Sequence, residues 1–178
     1  MAEIYYETLT SDNFSSTSLD GFIRHQEVTQ CWMRIHGQLQ LRPVSFTEEW
    51  DQNKLRSVAD EILQGIRSGG TAIGARCNGQ IIGFALVCGK RFGSANQYTE
   101  LQLLHVSEPF RKLGIGRKLF ELAADAAQQS GAKKLYISAH SSLESQAAYR
   151  RMGCTEALEP DAAHVAAEPF DIQMEYVL

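Results

Sequence analysis

Leu101-Gln102-Leu103-Leu104-His105-Val106-Ser107-Glu108-Pro109-Phe110-Arg111-Lys112-Leu113-Gly114-Ile115-Gly116-Arg117-Lys118-Leu119-Phe120 reads as a strand, a glycine-marked turn and the opening of a helix. Leu101, Leu103, Leu104 and Val106 make the strand Tyr98 to Val106 apolar on both faces near its end, the pattern of a central strand. From Gly114 to about Gln129 the stripe Ile115, Leu119, Leu122, Ala123 and Ala126 predicts a helix, and Gly131 stops it. A helix amino terminus exposes N–H groups that lack intrahelical acceptors, so it attracts anions. Gly114 and Gly116 let the backbone approach a ligand with no Cβ in the way, and Arg111, Lys112, Arg117 and Lys118 surround the bend. Successive N–H groups there could cradle a pyrophosphate, with help from the helix dipole. A glycine pair before a helix is also often no more than a tight turn.

Working outward, Thr71 to Cys77 and Gln80 to Val87 read as strands, and Asn78-Gly79 between them is a strong hairpin signal. Gly89 to Asn96 reads as a loop. Downstream, Lys134 to Ala139 is a short strand. Ser141-Ser142-Leu143-Glu144 fits an S-x-x-E capping box that opens a helix ending at Gly153. Pro169 to Leu178, with Phe170, Ile172, Met174 and Tyr176 alternating, reads as a closing strand. Upstream, Ile4 to Leu9 reads as a strand and Ser11 to Ser18 as a loop. Thr29 to Ile35 and Gln38 to Arg42 are extended around a turn at His36-Gly37, and a helical pattern lies between Phe46 and Gly69. The order predicts an α/β (α+β) fold, with a mixed sheet covered by helices in one domain.

The chain has 178 residues, 44% of them hydrophobic, enough for one sizeable core and too few for two ordinary domains. Its apolar runs are far shorter than the roughly 18 residues of a membrane span. The start Met1-Ala2-Glu3-Ile4-Tyr5-Tyr6 lacks the basic and apolar segments of a secretory signal, so a cytoplasmic location is expected. Cys31, Cys77, Cys88 and Cys154 lie far apart with no metal-ligand spacing, and free thiols without a metal are expected. A net charge of −4 argues against a nucleic-acid surface, since phosphate backbones are bound through clustered cations. Neither G-x-x-x-x-G-K-[ST] nor G-x-G-x-x-G is present.

Leu101 to Gly116, continuing through Phe120, resembles the defining segment of the GNAT superfamily of N-acetyltransferases, whose R/Q-x-x-G-x-G/A turn follows the fourth strand and opens the third helix. Ser142 to Gly153, with Ala147-Ala148-Tyr149-Arg150-Arg151-Met152-Gly153-Cys154, is similar to the later block, where a helix carrying a Tyr ends in Gly-Phe or Gly-Cys. The resemblance covers residues 71 to 154. It implies a single GNAT-like domain over 1–178: a cofactor-binding core at 71–154, closing strands at 155–178, and an N-terminal part, 1–70, that shapes the acceptor site. It implies acetyl-CoA as co-substrate, its pyrophosphate on the backbone of Arg111, Lys112, Leu113, Gly114, Ile115, Gly116 and Arg117. Leu104 to Val106 would be splayed from the neighbouring strand and pair with the pantetheine arm, the Val106 N–H facing the thioester carbonyl.

By the same resemblance Tyr149 is the general acid that protonates the departing thiolate. Glu100, eleven positions before Arg111, occupies the place of a catalytic base in some members. Ser142 stands where the family often has a cofactor-contacting Asn, and its hydroxyl reaches less far. The acceptor implied is a primary amine, on a small molecule or a peptide, and the enzyme a monomer or homodimer. The acidic balance favours a cationic acceptor such as a polyamine, an aminoglycoside-like antibiotic or an amino-acid derivative. Other readings stand beside these. Tyr149 could be a core-edge aromatic, Glu100 a solvated carboxylate, and His105 or His140 either a base or a structural histidine. His164 and Glu168 could face the acceptor or solvent, and Trp32 and Trp50 could line a pocket or fill the core. A CoA-binding module with little catalysis is the alternative function.

Overall fold

The computed structural model describes residues 3–178. In chain order these form β1 (Ile4–Leu9), β2 (His25–Ile35), β3 (Gln38–Glu49), α1 (Gln52–Arg67), β4 (Thr71–Cys77), β5 (Gln80–Phe92), β6 (Tyr98–Val106), α2 (Ile115–Gln129), β7 (Lys134–Ala139), α3 (Leu143–Arg151), β8 (Thr155–Glu156), α4 (Ala162–Ala167) and β9 (Ile172–Val177). Seven strands make one sheet in the order β1-β4-β5-β6-β7-β9-β8, and β2 and β3 pair only with each other. Every neighbouring pair is antiparallel except β6 with β7. This is the mixed, mostly antiparallel sheet flanked by helices that the sequence predicts.

The sheet is covered on both faces. On one, Ile115, Leu119, Phe120, Ala123 and Ala127 of α2 pack on Ile82, Ala85, Leu101, Leu135 and Ile137. A side chain at Gly83 would bring its Cβ within 2.9 Å of Leu119, so the glycine lets α2 lie against β5. On the other face, Leu55, Val58, Ala59 and Ile62 of α1 pack with Phe14, Leu19 and Phe22 of the long β1–β2 connection.

The parallel pairing of β6 and β7 positions the site. It extends only from Tyr98↔Lys134 to Glu100↔Tyr136. Just beyond, Val87 pairs with Leu101 but Leu86 with Leu103, so Gln102 is an extra residue in β6. Such a bulge bends its strand and sharpens the local twist, and beyond it β6 and β7 separate. The splayed strand pair of the expected fold is therefore present.

The β2–β3 hairpin spans the open end of this gap. At its root, Trp50 donates to Arg24 O (3.0 Å), Glu108 N–H to Ile23 O (2.9 Å) and the Arg111 guanidinium to His25 O (2.8 Å). Further along, Trp32 N–H donates to Ser141 O (2.8 Å) and Cys31 bridges to Ser142, beyond the end of β7.

Several boundaries differ from the sequence reading. β3 continues past Arg42 to Glu49, and the helix opens only at Gln52, where the Asp51 carboxylate caps it by accepting from Lys54 N–H (2.8 Å). Gly89 lies inside β5, not in a loop, and it is glycine there because a Cβ would meet the backbone of Gly69 at 2.6 Å. The cap of α3 is Ser142, one residue later than the S-x-x-E register, accepting from Ser145 N–H (3.2 Å). β8 and α4 fill the stretch ahead of the last strand, and Phe170 lies outside β9 with 83% of its surface exposed. Among the described residues no helix is long and apolar enough to cross a membrane.

Leu119 is fully buried between α2 and the sheet. Leu119→Ala should lower unfolding stability by roughly 2–5 kcal/mol, read from the midpoint of a urea titration.

Candidate active site

Gly114 ends the turn at φ 81° and serves as N-cap of α2 without any side-chain cap. Lys112 also sits at positive φ, 65°. Alternating backbone of this kind turns successive N–H groups toward one point. The first helical hydrogen bond runs from Lys118 N–H to Gly114 O (3.0 Å), leaving the N–H groups of Ile115, Gly116 and Arg117 without an intrahelical acceptor. These groups open toward a cavity of about 440 Å³. Leu104, Val106, Arg111, Lys112, Gly114, Gly116, Arg117 and Tyr149 all line it, together with Phe110, Ser145 and Arg151.

Not every expected contact lies there. Leu113 and Ile115 are outside the lining: Leu113 points to solvent and Ile115 into the core. Arg111 reaches the cavity, but its guanidinium donates to Val106 O (3.2 Å) and His25 O, tying the turn to the strand and to the hairpin. Ser142 is completely buried with its hydroxyl committed to the helix cap. Ser145, one turn further along α3, faces the cavity instead.

Ser107 donates its N–H to Ile82 O (2.8 Å) on β5. Backbone groups alternate sides along a strand, so those of Val106 and Leu104 face the other way, into the gap left by β7. They form an interior strand edge whose N–H groups have no strand partner, while Val106 O accepts from the Arg111 guanidinium. Tyr149 stands across the cavity, packed edge-on to Phe120. Burial, with the nearby Cys154 and Asp171 adding to it, pushes the phenol pKa well above its ordinary value, so it stays protonated at neutral pH.

A larger cavity, about 810 Å³, lies between the β2–β3 hairpin and the C-terminal segment. Met33, Leu39, Val44, Phe46, Val165 and Phe170 supply apolar walls, while His140, Asp171 and Gln173 supply polar ones. Trp32 belongs to this lining; Trp50 packs in the core against Phe22 and His105. His140 has both ring nitrogens engaged. Its Nδ1 accepts from Ser142 N–H (3.1 Å), so Nε2 carries the hydrogen that meets Glu48 Oε1 at 3.0 Å. The hydrogen bond to Glu48 outweighs burial and raises the His140 pKa. The same bond holds the Glu48 carboxyl low, and Glu48 also takes a 2.6 Å contact from Arg24.

Glu100 lies at the closed end of the gap and lines neither cavity. Its carboxylate is 3.1 Å from His164 Nε2 and accepts from the Cys88 thiol. His164 Nδ1 is 2.6 Å from Asp161. Burial pulls the His164 pKa down, but the hydrogen bonds to the two carboxylates outweigh it. His105 is held at about 3, by burial first and then by Arg24, and so stays neutral. Glu48 and Asp171 were not anticipated from sequence. Glu48 lies in a stretch whose spacing reads as helical, and Asp171 faces His140 only because β9 pairs Ile172 with Ala139.

The sequence profile of the Acetyltransferase (GNAT) family matches residues 35–154. No curated protein sequence matches the chain. Among solved structures the fold is similar to a nourseothricin acetyltransferase, with a TM-score of 0.69 and 19% identity over 98% of both chains. It is also similar to a Bacillus anthracis protein described as a streptothricin acetyltransferase, solved with acetyl coenzyme A, at 0.68 and 16% over 99% of this chain and 97% of the other. A PaiA N-acetyltransferase from Thermoplasma acidophilum, solved with coenzyme A, gives 0.61 and 15% over 99% of each. At these identities the likeness is one of fold.

A Cβ added at Gly116 would meet only Val106, at an ordinary 3.5 Å. Gly116→Val should therefore leave thermal stability nearly unchanged while filling the space above the turn. Calorimetry should show coenzyme A affinity falling at least about tenfold, or 1.4 kcal/mol.

Proposed function

Because the chain belongs to the GNAT family of acetyltransferases, we propose that it transfers the acetyl group of acetyl-CoA to a primary amine by direct attack. The observation that carries this reading is one cavity holding the unpaired N–H groups of the turn, the interior strand edge and a protonated phenol together. In it the pyrophosphate rests on the backbone of residues 112–117, with Lys112 and Arg117 nearby. The pantetheine arm pairs with Leu104 and Val106 as an added strand would. The thioester carbonyl then meets the Val106 N–H, which stabilises the oxyanion of the tetrahedral intermediate.

Tyr149 supplies the proton for the departing sulfur. A thiolate whose conjugate acid has a pKa of about 8.5 is a modest leaving group, and donation as the C–S bond breaks avoids releasing it as a free anion. Burial keeps the donor protonated throughout the working pH range.

The acceptor enters through the larger cavity, so the N-terminal 70 residues, through the β2–β3 hairpin, select it. Its apolar walls and the Asp171 carboxylate suit an amine with a sizeable body and a cationic head. The resemblance to nourseothricin and streptothricin acetyltransferases supports that class. The burial of Ser142 favours a second reading, a CoA-binding module with little turnover, since the contact of the family's Asn is missing.

Incubation with acetyl-CoA and nourseothricin, an aminoglycoside, spermidine and an amino-terminal alanine peptide, followed by mass spectrometry, should yield a mono-acetylated amine. Tyr149→Phe should lower kcat about 10²- to 10⁴-fold with the KM for acetyl-CoA little changed. Binding of acetyl-CoA with no product from any amine would favour the second reading, and no binding would remove both.

A further inference from the structure

We propose that Asp171 is the base that takes the proton from the acceptor ammonium, an inference that rests on the acetyl-transfer reading above. An alkylammonium holds its proton up to a pKa of about 10.4, so attack at neutral pH needs a group that can accept it. That group must face the acceptor cavity, lie near Tyr149 and have a lone pair to spare.

The other titratable groups on this face fail one of these conditions. Glu100 is held by His164 and lines neither cavity. His164 stands between two carboxylates, and His140 between the Ser142 N–H and Glu48. Glu48 is committed to Arg24 and His140, Glu156 is paired with Arg34, and Glu168 lines neither cavity. His105 packs between Trp50 and Phe84 beneath the sheet.

Asp171 meets them all. It lines the acceptor cavity at the mouth of β9, one residue before Ile172 pairs with Ala139. Among the described residues no cation forms a salt bridge with it, and its side-chain hydrogen-bond partner is another acid, the Glu168 carboxyl, with which it can share one proton. The groups facing it are Glu168, Glu48 and His140. Ala139, the partner of Ile172, is the last residue of β7, and from there the chain runs directly into α3, which carries Tyr149. Burial first, then the neighbouring Glu168, raises its pKa to about 6, while His140 acts in the opposite direction. A carboxylate so placed is ionised at neutral pH yet more basic than usual.

In the step, one ammonium proton passes to Asp171 and on to solvent. The freed nitrogen lone pair attacks the thioester carbon. As the C–S bond breaks, Tyr149 gives its proton to sulfur and regains one from the nitrogen. The sum is amide, CoA thiol and one released proton.

The test is the pH dependence of kcat/KM for the best amine of the panel, between about pH 5 and 9. The wild type should rise through an acid limb near 6 and level off, and Glu100→Gln should keep that limb. In Asp171→Asn the limb should vanish, with kcat/KM lowered about 10²-fold at pH 7.5 and climbing tenfold per pH unit as the fraction of free amine grows. A limb that persists in Asp171→Asn, or disappears in Glu100→Gln, overturns the assignment while leaving acetyl transfer intact. A second measurement needs neither turnover nor a stable variant. Carbon-13 NMR of the side-chain carboxyls in the acetyl-CoA complex should show Asp171 titrating near 6 and responding to spermidine. An Asp171 signal that titrates like an ordinary carboxylate, or ignores the amine, overturns it as well.

Discussion

A parallel strand pair that stops pairing halfway is the constraint on which the rest of the molecule depends. Between Glu100 and Val106 the sheet gives up a row of hydrogen bonds, and each buried backbone group left alone costs about 1–3 kcal/mol. Such an edge persists only where the surroundings hold it open and a ligand can complete it. Here both ends are fastened. Phe92, Tyr98, Tyr136 and His164 cluster at the closed end with ring centroids 5.0–5.5 Å apart. At the open end, Trp32 and Cys31 clamp the hairpin to Ser141 and Ser142. The bulge at Gln102 lets one strand obey both conditions.

The gap also divides the charge. On the α2 side, N–H groups and exposed cations await an anion. On the hairpin side, Asp171 lies beside apolar walls, with the Glu168 carboxyl next to it. Tyr149 lies between the two fields, kept neutral by burial. Solvent-exposed pairs such as Arg117 with Glu121 trim the field without closing the turn.

What was legible in the sequence was local. The Asn78-Gly79 hairpin, the strand-turn-helix at 98–129 and the N-terminal strand Ile4–Leu9 are each specified by neighbours a few residues apart, and they stand where spacing puts them. The turn residues and Tyr149 are legible because their blocks resemble a family; Arg111, Lys112, Gly114, Gly116, Arg117 and Tyr149 line one cavity, while Leu113 and Ile115 do not. What escaped depends on distant partners. Val44 to Glu49 extends β3 because it faces His25 to Gln30 across the hairpin, a pairing that no local period reveals. Gly89 resembles a loop glycine until Gly69 is seen against it. Glu48 meets His140, and Asp171 meets the larger cavity, only through the finished sheet.

The two-stranded ribbon of β2 and β3 shares no ladder with the main sheet. Its exposed residues, such as Met33 and Phe46, can change without disturbing a strand of the main sheet, since its polar fastenings lie at its root, at Trp32 and Cys31, and at the Arg34–Glu156 ion pair. The molecule thereby keeps what must be preserved apart from what may be exchanged. A lineage can rewrite this ribbon while inheriting the main sheet whole.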